Sequence, residues 1–258
     1  MKVKESLLAE NPNAKLQVME MDLSSLRSVE SFARSFDTSH KHLNILINNA
    51  GIMGGPFRLS ADGFELQFAT NHLDKLKSTA KETGIEGRIV NVSSMAHRFG
   101  DSFKIGFENF SNPTKYAPYD AYSRSKLANV LHANELSRRL QEEGCNVTAN
   151  SLHPGVIPTN IYRAGRLEPW EAHVKNSIPL GGEHIASTSH IQIHLFARRH
   201  KPTSQRIAST SHKQIGVSGK YFNKCNENPP STLAGDELLA KRLWEFSEEL
   251  VHTQGKPK

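Results

Sequence analysis

Apolar positions along the chain fall into two alternating rhythms. Short continuous runs read as buried strands, and longer stretches with apolar residues three or four apart read as amphipathic helices. The opening "MKVKESLLAENPNAK" predicts a short helix, "KLQVMEM" (15–21) a strand, "SSLRSVESFARSF" a helix capped by Ser24 or Ser25, and "LNILIN" (43–48) a buried strand. A helix through "DGFELQFATNHLDKLKSTAKE" follows, then the strand "GRIVNVSS" (87–94). A long helix from about Tyr119 to Glu143 leads to a strand beginning at Asn146, and the amphipathic "GDELLAKRLWEFSEELV" closes the order. Strands and helices in alternation predict an α/β fold with a parallel sheet covered by helices. One domain over residues 1–258 is the expectation from length.

The stretch at about 183–215 breaks the rhythm. It holds "IASTSHIQI" (185–193) and "IASTSHKQI" (207–215), too few copies for a solenoid, and reads as a solvated insertion. His190 and His194 have the spacing of a metal-binding pair, but no carboxylate lies between Glu183 and Glu227 to complete a site, so no metal is expected.

Charge and composition narrow the function classes. The net charge of +6 is spread from Lys2 to Lys258 instead of gathered on one element, which argues against nucleic-acid binding. Two cysteines, Cys145 and Cys225, form no disulfide or zinc framework and suit a reducing compartment. No apolar run approaches the length of a membrane span, and the opening residues lack both an apolar signal core and the acid-poor composition of a transit peptide.

The chemistry centres on "YDAYSRSKLAN". Tyr122 and Lys126 are four apart in a predicted helix and share a face, so a phenol and an ammonium point into one place. A free phenol has a pKa of about 10, and a neighbouring cation lowers it toward the range useful for acid/base work. A lone Y-x-x-x-K arises readily by chance, and its surroundings decide. "IVNVSS" delivers Ser93 and Ser94 at a strand's C-terminal edge, "LINNAGIM" ends another strand in small and turn-forming residues, and "HPGVIPTN" follows a third. Tyr116 and Tyr119 have no lysine four residues on and are not expected to be catalytic.

In that order "NNAG", "ATNH", "VNVSS", Y-x-x-x-K and "HPG" resemble the short-chain dehydrogenase/reductase family. "FATNHL", "GRIVNVSSMAH", "SKLANVLHANELSRRLQEEG" and "GKYF" resemble its retinol-dehydrogenase-like branch, and within it the plant members associated with the chloroplast inner-envelope translocon. The resemblance implies a Rossmann-type doubly wound sheet, a nicotinamide cofactor (NADP, with NAD as the alternative) and a small carbonyl or alcohol substrate. It makes Tyr122 the general acid/base and Ser94 the donor to the substrate oxygen. Lys126 lowers the tyrosine pKa and grips the nicotinamide ribose, and Asn71 fixes a water of the proton relay. Tyr122 and Lys126 also belong to the cofactor-binding set with Asp22, Asn49, Ala50, Gly51, Pro154, Gly155, Val156 and Thr159. Asp22, followed by serines, reads equally as a helix-capping residue.

Three departures from the family pattern stand out. The sequence has no T-G-x-x-x-G-x-G loop, so the Rossmann-type sheet is expected to be incomplete, without its first strand and phosphate loop, and to hold cofactor weakly. After "TNHL", Leu73 meets Asp74 where relatives carry about ten more apolar residues. That shortens by roughly 15 Å a helix that packs at the family's homodimer interface. The third departure is the repeat-bearing stretch. A catalytically impaired relative acting as a binding or scaffold protein is therefore the alternative reading, with the terminal helix as its docking element or, by ordinary patterning, part of the core.

Overall fold

A computed structural model describes residues 2–40, 42–73, 87–100, 106–107, 110–155, 161, 216–223 and 226–254. Five helices and five strands organise them: α1 (Lys2–Glu10), α2 (Leu26–Ser39), β1 (Ile45–Asn48), α3 (Leu66–Asn71), β2 (Gly87–Val92), α4 (Pro118–Glu142), β3 (Val147–His153), β4 (Tyr221–Asn223), β5 (Asn226–Glu227) and α5 (Glu237–Gln254). The strands form one sheet in the order β1-β2-β3-β4-β5, parallel except for the final hairpin-like pair β4–β5. Because β1, β2 and β3 run the same way in register, Asn48 pairs with Asn91 and Val92 with Leu152. Their C-terminal ends therefore open on one rim, where parallel sheets of this type carry ligands.

Alternation along each strand sorts the apolar side chains onto two faces. Leu46, Ile89 and Ala149 pack with Leu136 and Leu140 of α4 on one face. Ile47, Val90, Val92, Leu152 and Phe222 cluster on the other. Burial on both faces is what a doubly wound sheet requires. A larger core joins α4 to α5 through Leu127, Val130, Leu131, Leu239 and Leu243, with Phe68 and Phe110 at its end.

Local chemistry explains the helix limits. Ser25 caps α2 by accepting the Ser28 amide hydrogen, and Asp62 takes the Leu26 amide at 2.8 Å. Helix α4 starts with Pro118 at its first turn, where the missing N–H costs nothing, and stops at Gly144, whose φ of 68° lets the chain turn away.

The segment 15–21, expected as a strand, is not one. Among the described residues no strand lies alongside it to share a hydrogen-bond ladder, and Val18 is 65% exposed. The helix expected through 62–82 is described only over Leu66–Asn71, the remainder from 74 lying outside the described residues, as does the repeat-bearing 183–215 stretch. Strands β4 and β5 were not foreseen, because runs of three and two residues are too short to carry a period.

Candidate active site

Lys126 is 2% exposed, and its Nζ donates to the Val92 carbonyl at the end of β2, 3.2 Å away. The same ammonium lies 5.5 Å from the centroid of the buried Tyr122 ring. Helical spacing thus brings phenol and ammonium together, and the strand end holds the latter. Burial lowers the lysine pKa from 10.5 to about 8, which leaves it mainly protonated at neutral pH. By contrast, burial raises the phenol of Tyr116, and raises that of Tyr221 to about 12.

The loop after β1 is clamped against this pair. Asn71 is fully buried; its Oδ1 accepts the Ile52 amide hydrogen at 2.8 Å, and its Nδ2 donates to Ile52 O at 3.0 Å and to Ser125 Oγ at 2.9 Å. Both amide hydrogens are spent, so the side chain acts as a strut between loop and α4. Gly51 is required beside it: a β-carbon there would sit 2.9 Å from Asn71 Oδ1 and 3.3 Å from Lys126 Nζ. Asn71→Ala removes three bonds, one buried and two part-buried, and leaves both polar groups of Ile52 without their partner. A loss of about 3 kcal/mol is expected in urea denaturation, and a loss below about 1 kcal/mol would contradict the strut.

The two serines divide their tasks. Ser93 is buried and its hydroxyl donates to Lys126 O at 2.7 Å, tying β2 to α4. Ser94 is half-buried; its Oγ accepts the Ala96 amide hydrogen at 3.2 Å, so that bond leaves the hydroxyl proton to be given elsewhere. The second serine is therefore the better donor to a ligand.

The remaining residues spread along the rim. Asn49 turns the chain, its N–H donating to Ile47 O at 3.0 Å, and Ala50 packs against Met21, Leu23 and Val29. Asp22 lies in that neighbouring loop, exposed, with Oδ1 accepting both the amide and the hydroxyl hydrogens of Ser24; these bonds turn the chain ahead of α2, whose cap is Ser25. Pro154 and Gly155 follow β3, and Gly155 adopts a φ of 94° that only glycine takes easily. Val156 and Thr159 lie outside the described residues.

Sequence patterning missed two supports. Gln67 accepts the Gly54 amide hydrogen and donates to Tyr116 Oη and Pro118 O, joining the β1 loop to the start of α4. His97 lies three residues past Ser94 and is 1% exposed. The "SSMAH" spacing of one short helical turn was the available signal.

Nothing among the described residues is an acidic or histidine cluster suited to a metal, and no described helix is long and apolar enough to cross a membrane. The nicotinamide end of a dinucleotide fits the donors present: a buried ammonium with three N–H groups, of which Val92 takes one, beside a glycine loop at the sheet rim.

Comparison with known proteins agrees with this geometry. The family profile described as short chain dehydrogenase matches residues 1–107. The chain is 44% identical to the chloroplastic short-chain dehydrogenase TIC 32 B of Brassica napus, over 96% of this chain and 76% of that one. It is 39% identical to human retinol dehydrogenase 14, over 92% and 67%. An uncharacterized protein from Mycobacterium paratuberculosis shares the fold at a TM-score of 0.67 and 30% identity, covering 98% of this chain and 81% of that one. Identity at this level over most of both chains, on a Rossmann-type sheet, means that the chain belongs to the short-chain dehydrogenase/reductase family of NAD(P)-dependent oxidoreductases.

Proposed function

We propose that the protein moves a hydride between a nicotinamide and a carbonyl or alcohol carbon, with Tyr122 handling the proton at the substrate oxygen. The observation that carries this reading is the buried Lys126 ammonium held by Val92 O against the Tyr122 ring. A cation fixed there favours phenolate over phenol, the direction that acid/base work requires. In the reducing direction Tyr122 Oη passes its proton to the oxygen as the carbon–oxygen double bond becomes a single bond. In the oxidising direction the phenolate takes it back.

The bound dinucleotide supplies or accepts the hydride. Lys126 would hold its ribose with the donors that Val92 leaves over, and Asn49, Ala50, Gly51, Pro154, Gly155, Val156, Thr159 and Asp22 are the further residues proposed to contact it. Ser94 donates its hydroxyl to the substrate oxygen, where negative charge grows in the transition state. We take NADP as the cofactor to test first, because the solved Rossmann-type neighbours include an NADP complex, RhlG of Pseudomonas aeruginosa. The chloroplast is the location to test, on the strength of the Brassica relative, and a homodimer the assembly to test.

The alternative is a scaffold that has kept the fold without turnover. Its suggested docking element, the apolar stripe of α5, is engaged in the core: Leu243 is 1% exposed and Trp244 stacks on His132 at 5.2 Å. The deciding experiment is NADPH oxidation by the full chain across aliphatic and aromatic aldehydes, with Ser94→Ala alongside. Turnover in the wild type that falls by about 10²-fold in Ser94→Ala supports the enzyme. Equal background in both overturns it and favours the scaffold.

A further inference from the structure

His97 belongs to the short 3-10 helix Met95–Phe99 that Ser94 caps. Its backbone N–H donates to Ser94 O at 3.1 Å, and its Nδ1 lies 2.7 Å from the same oxygen. On the far side of the ring, the Ser231 amide lies 3.1 Å from Nε2. A backbone amide is only a donor here, so Nε2 must present its lone pair, and the single ring proton sits on Nδ1 and is given to Ser94. The tautomer is therefore dictated by Ser231, seventy-eight residues beyond the end of β3 in the C-terminal segment.

The surroundings make that arrangement rigid. The imidazole packs at 4.8 Å against the buried Tyr221 ring of β4. Arg98 donates to Pro229 O at 2.8 Å, so consecutive residues grip the same stretch. Burial, reinforced by the adjacent Arg98 charge, pushes the imidazole pKa down and keeps the ring neutral. Ser94 O thus receives two hydrogen bonds, which is full use of its lone pairs, and the residue cannot rotate about its peptide without breaking both.

We propose that His97 is a positioning residue for the reaction, fixing Ser94 through its Nδ1–H and coupling that serine to the 229–231 segment. The inference rests on the reading of Ser94 as the donor to the substrate oxygen. It explains why an imidazole stands where packing alone would accept any flat apolar ring: one nitrogen must give and the other must receive.

Two substitutions separate the halves of the ring. In His97→Asn the amide nitrogen overlays Nδ1 and keeps the bond to Ser94, while in His97→Gln the terminal amide reaches the Nε2 position and keeps only the bond to Ser231. Both lose the same ring packing, so their Tm values should agree within about 3 °C. If the inference holds, His97→Gln lowers kcat by about tenfold or more with little change in KM for NADPH, and His97→Asn stays within about threefold of the wild type. Combined with Ser94→Ala, His97→Gln should add no further loss.

Equal kcat values in the two variants, or a full additional loss on top of Ser94→Ala, would overturn the inference while leaving the enzyme reading intact. Absence of any turnover sensitive to Tyr122→Phe would sink the enzyme reading and this inference with it. Should either variant fail to fold, the ring itself is read directly: 15N signals of the unmodified chain must show His97 as the neutral Nδ1–H tautomer, and an Nε2–H tautomer refutes the coupling.

Discussion

Lys126→Met is expected to make the protein more stable at neutral pH while removing turnover. The wild-type ammonium is buried, and its pKa falls from 10.5 in the unfolded chain to about 8 in the folded one. Folding below pH 8 must therefore carry the full cost of hiding a charge, on the order of 3 kcal/mol for a shift of that size. Methionine fills similar space without charge. The lost hydrogen bond returns about 1 kcal/mol of that gain, and it strands nothing, because Val92 O also accepts from Asn129 Nδ2 at 3.1 Å.

A net stabilisation of about 2 kcal/mol should appear in urea denaturation at pH 7. The sign with pH is fixed. A folded pKa below the unfolded one means that the unfolded chain binds more protons between pH 8 and 10.5, so wild-type stability rises through that window. The advantage of the variant should shrink over it. A variant that is less stable at pH 7, or an advantage that does not change by pH 10.5, would show that the lysine is not held as a costly buried cation.

Tyr122→Phe should act strongly on the chemistry and little on the fold. The ring stays buried against Lys126, so packing and the cation contact survive. Only the hydroxyl is lost, and with it the proton donor. A positioned general acid contributes about 10² to 10⁴ in rate, and kcat and kcat/KM should fall together by that amount. Tyr116→Phe is the matched comparison. Its hydroxyl donates to Gly55 O at 3.3 Å and accepts from Gln67, so a structural loss of about 1 kcal/mol is expected there without collapse of turnover. If the two phenylalanine variants retain equal turnover, Tyr122 is not the acid.

Much of the rim was legible before any coordinate. Parallel strands covered on both faces read as near-continuous apolar runs, and "ILI" in "LNILIN" has that form, whereas "GRIVNV" and the buried but more polar stretch from Asn146 have it only in part. Once those are parallel neighbours, their exits must share an edge, which is how Asn49 to Gly51, Ser93 to Ser94 and Pro154 to Gly155 come to one side. The Tyr122 and Lys126 pairing follows from helical geometry alone.

What stayed hidden depends on partners distant in the chain. "KLQVMEM" has strand propensity, but a strand exists only where a neighbour completes its ladder. Asn71 and Gln67 look like surface amides in a helical pattern, and nothing local shows that their hydrogen bonds go to Ile52, Gly54 and Pro118. His97 gains its task from Ser231, more than a hundred residues away.

Residues 121–133 of α4 are buried almost without interruption, front and back. Their amide protons are expected to be among the slowest to exchange, which makes this helix an anvil and not a hinge. A ligand that reaches the proposed Tyr122 and Lys126 pair is therefore expected to meet a side that stands still as it comes and goes.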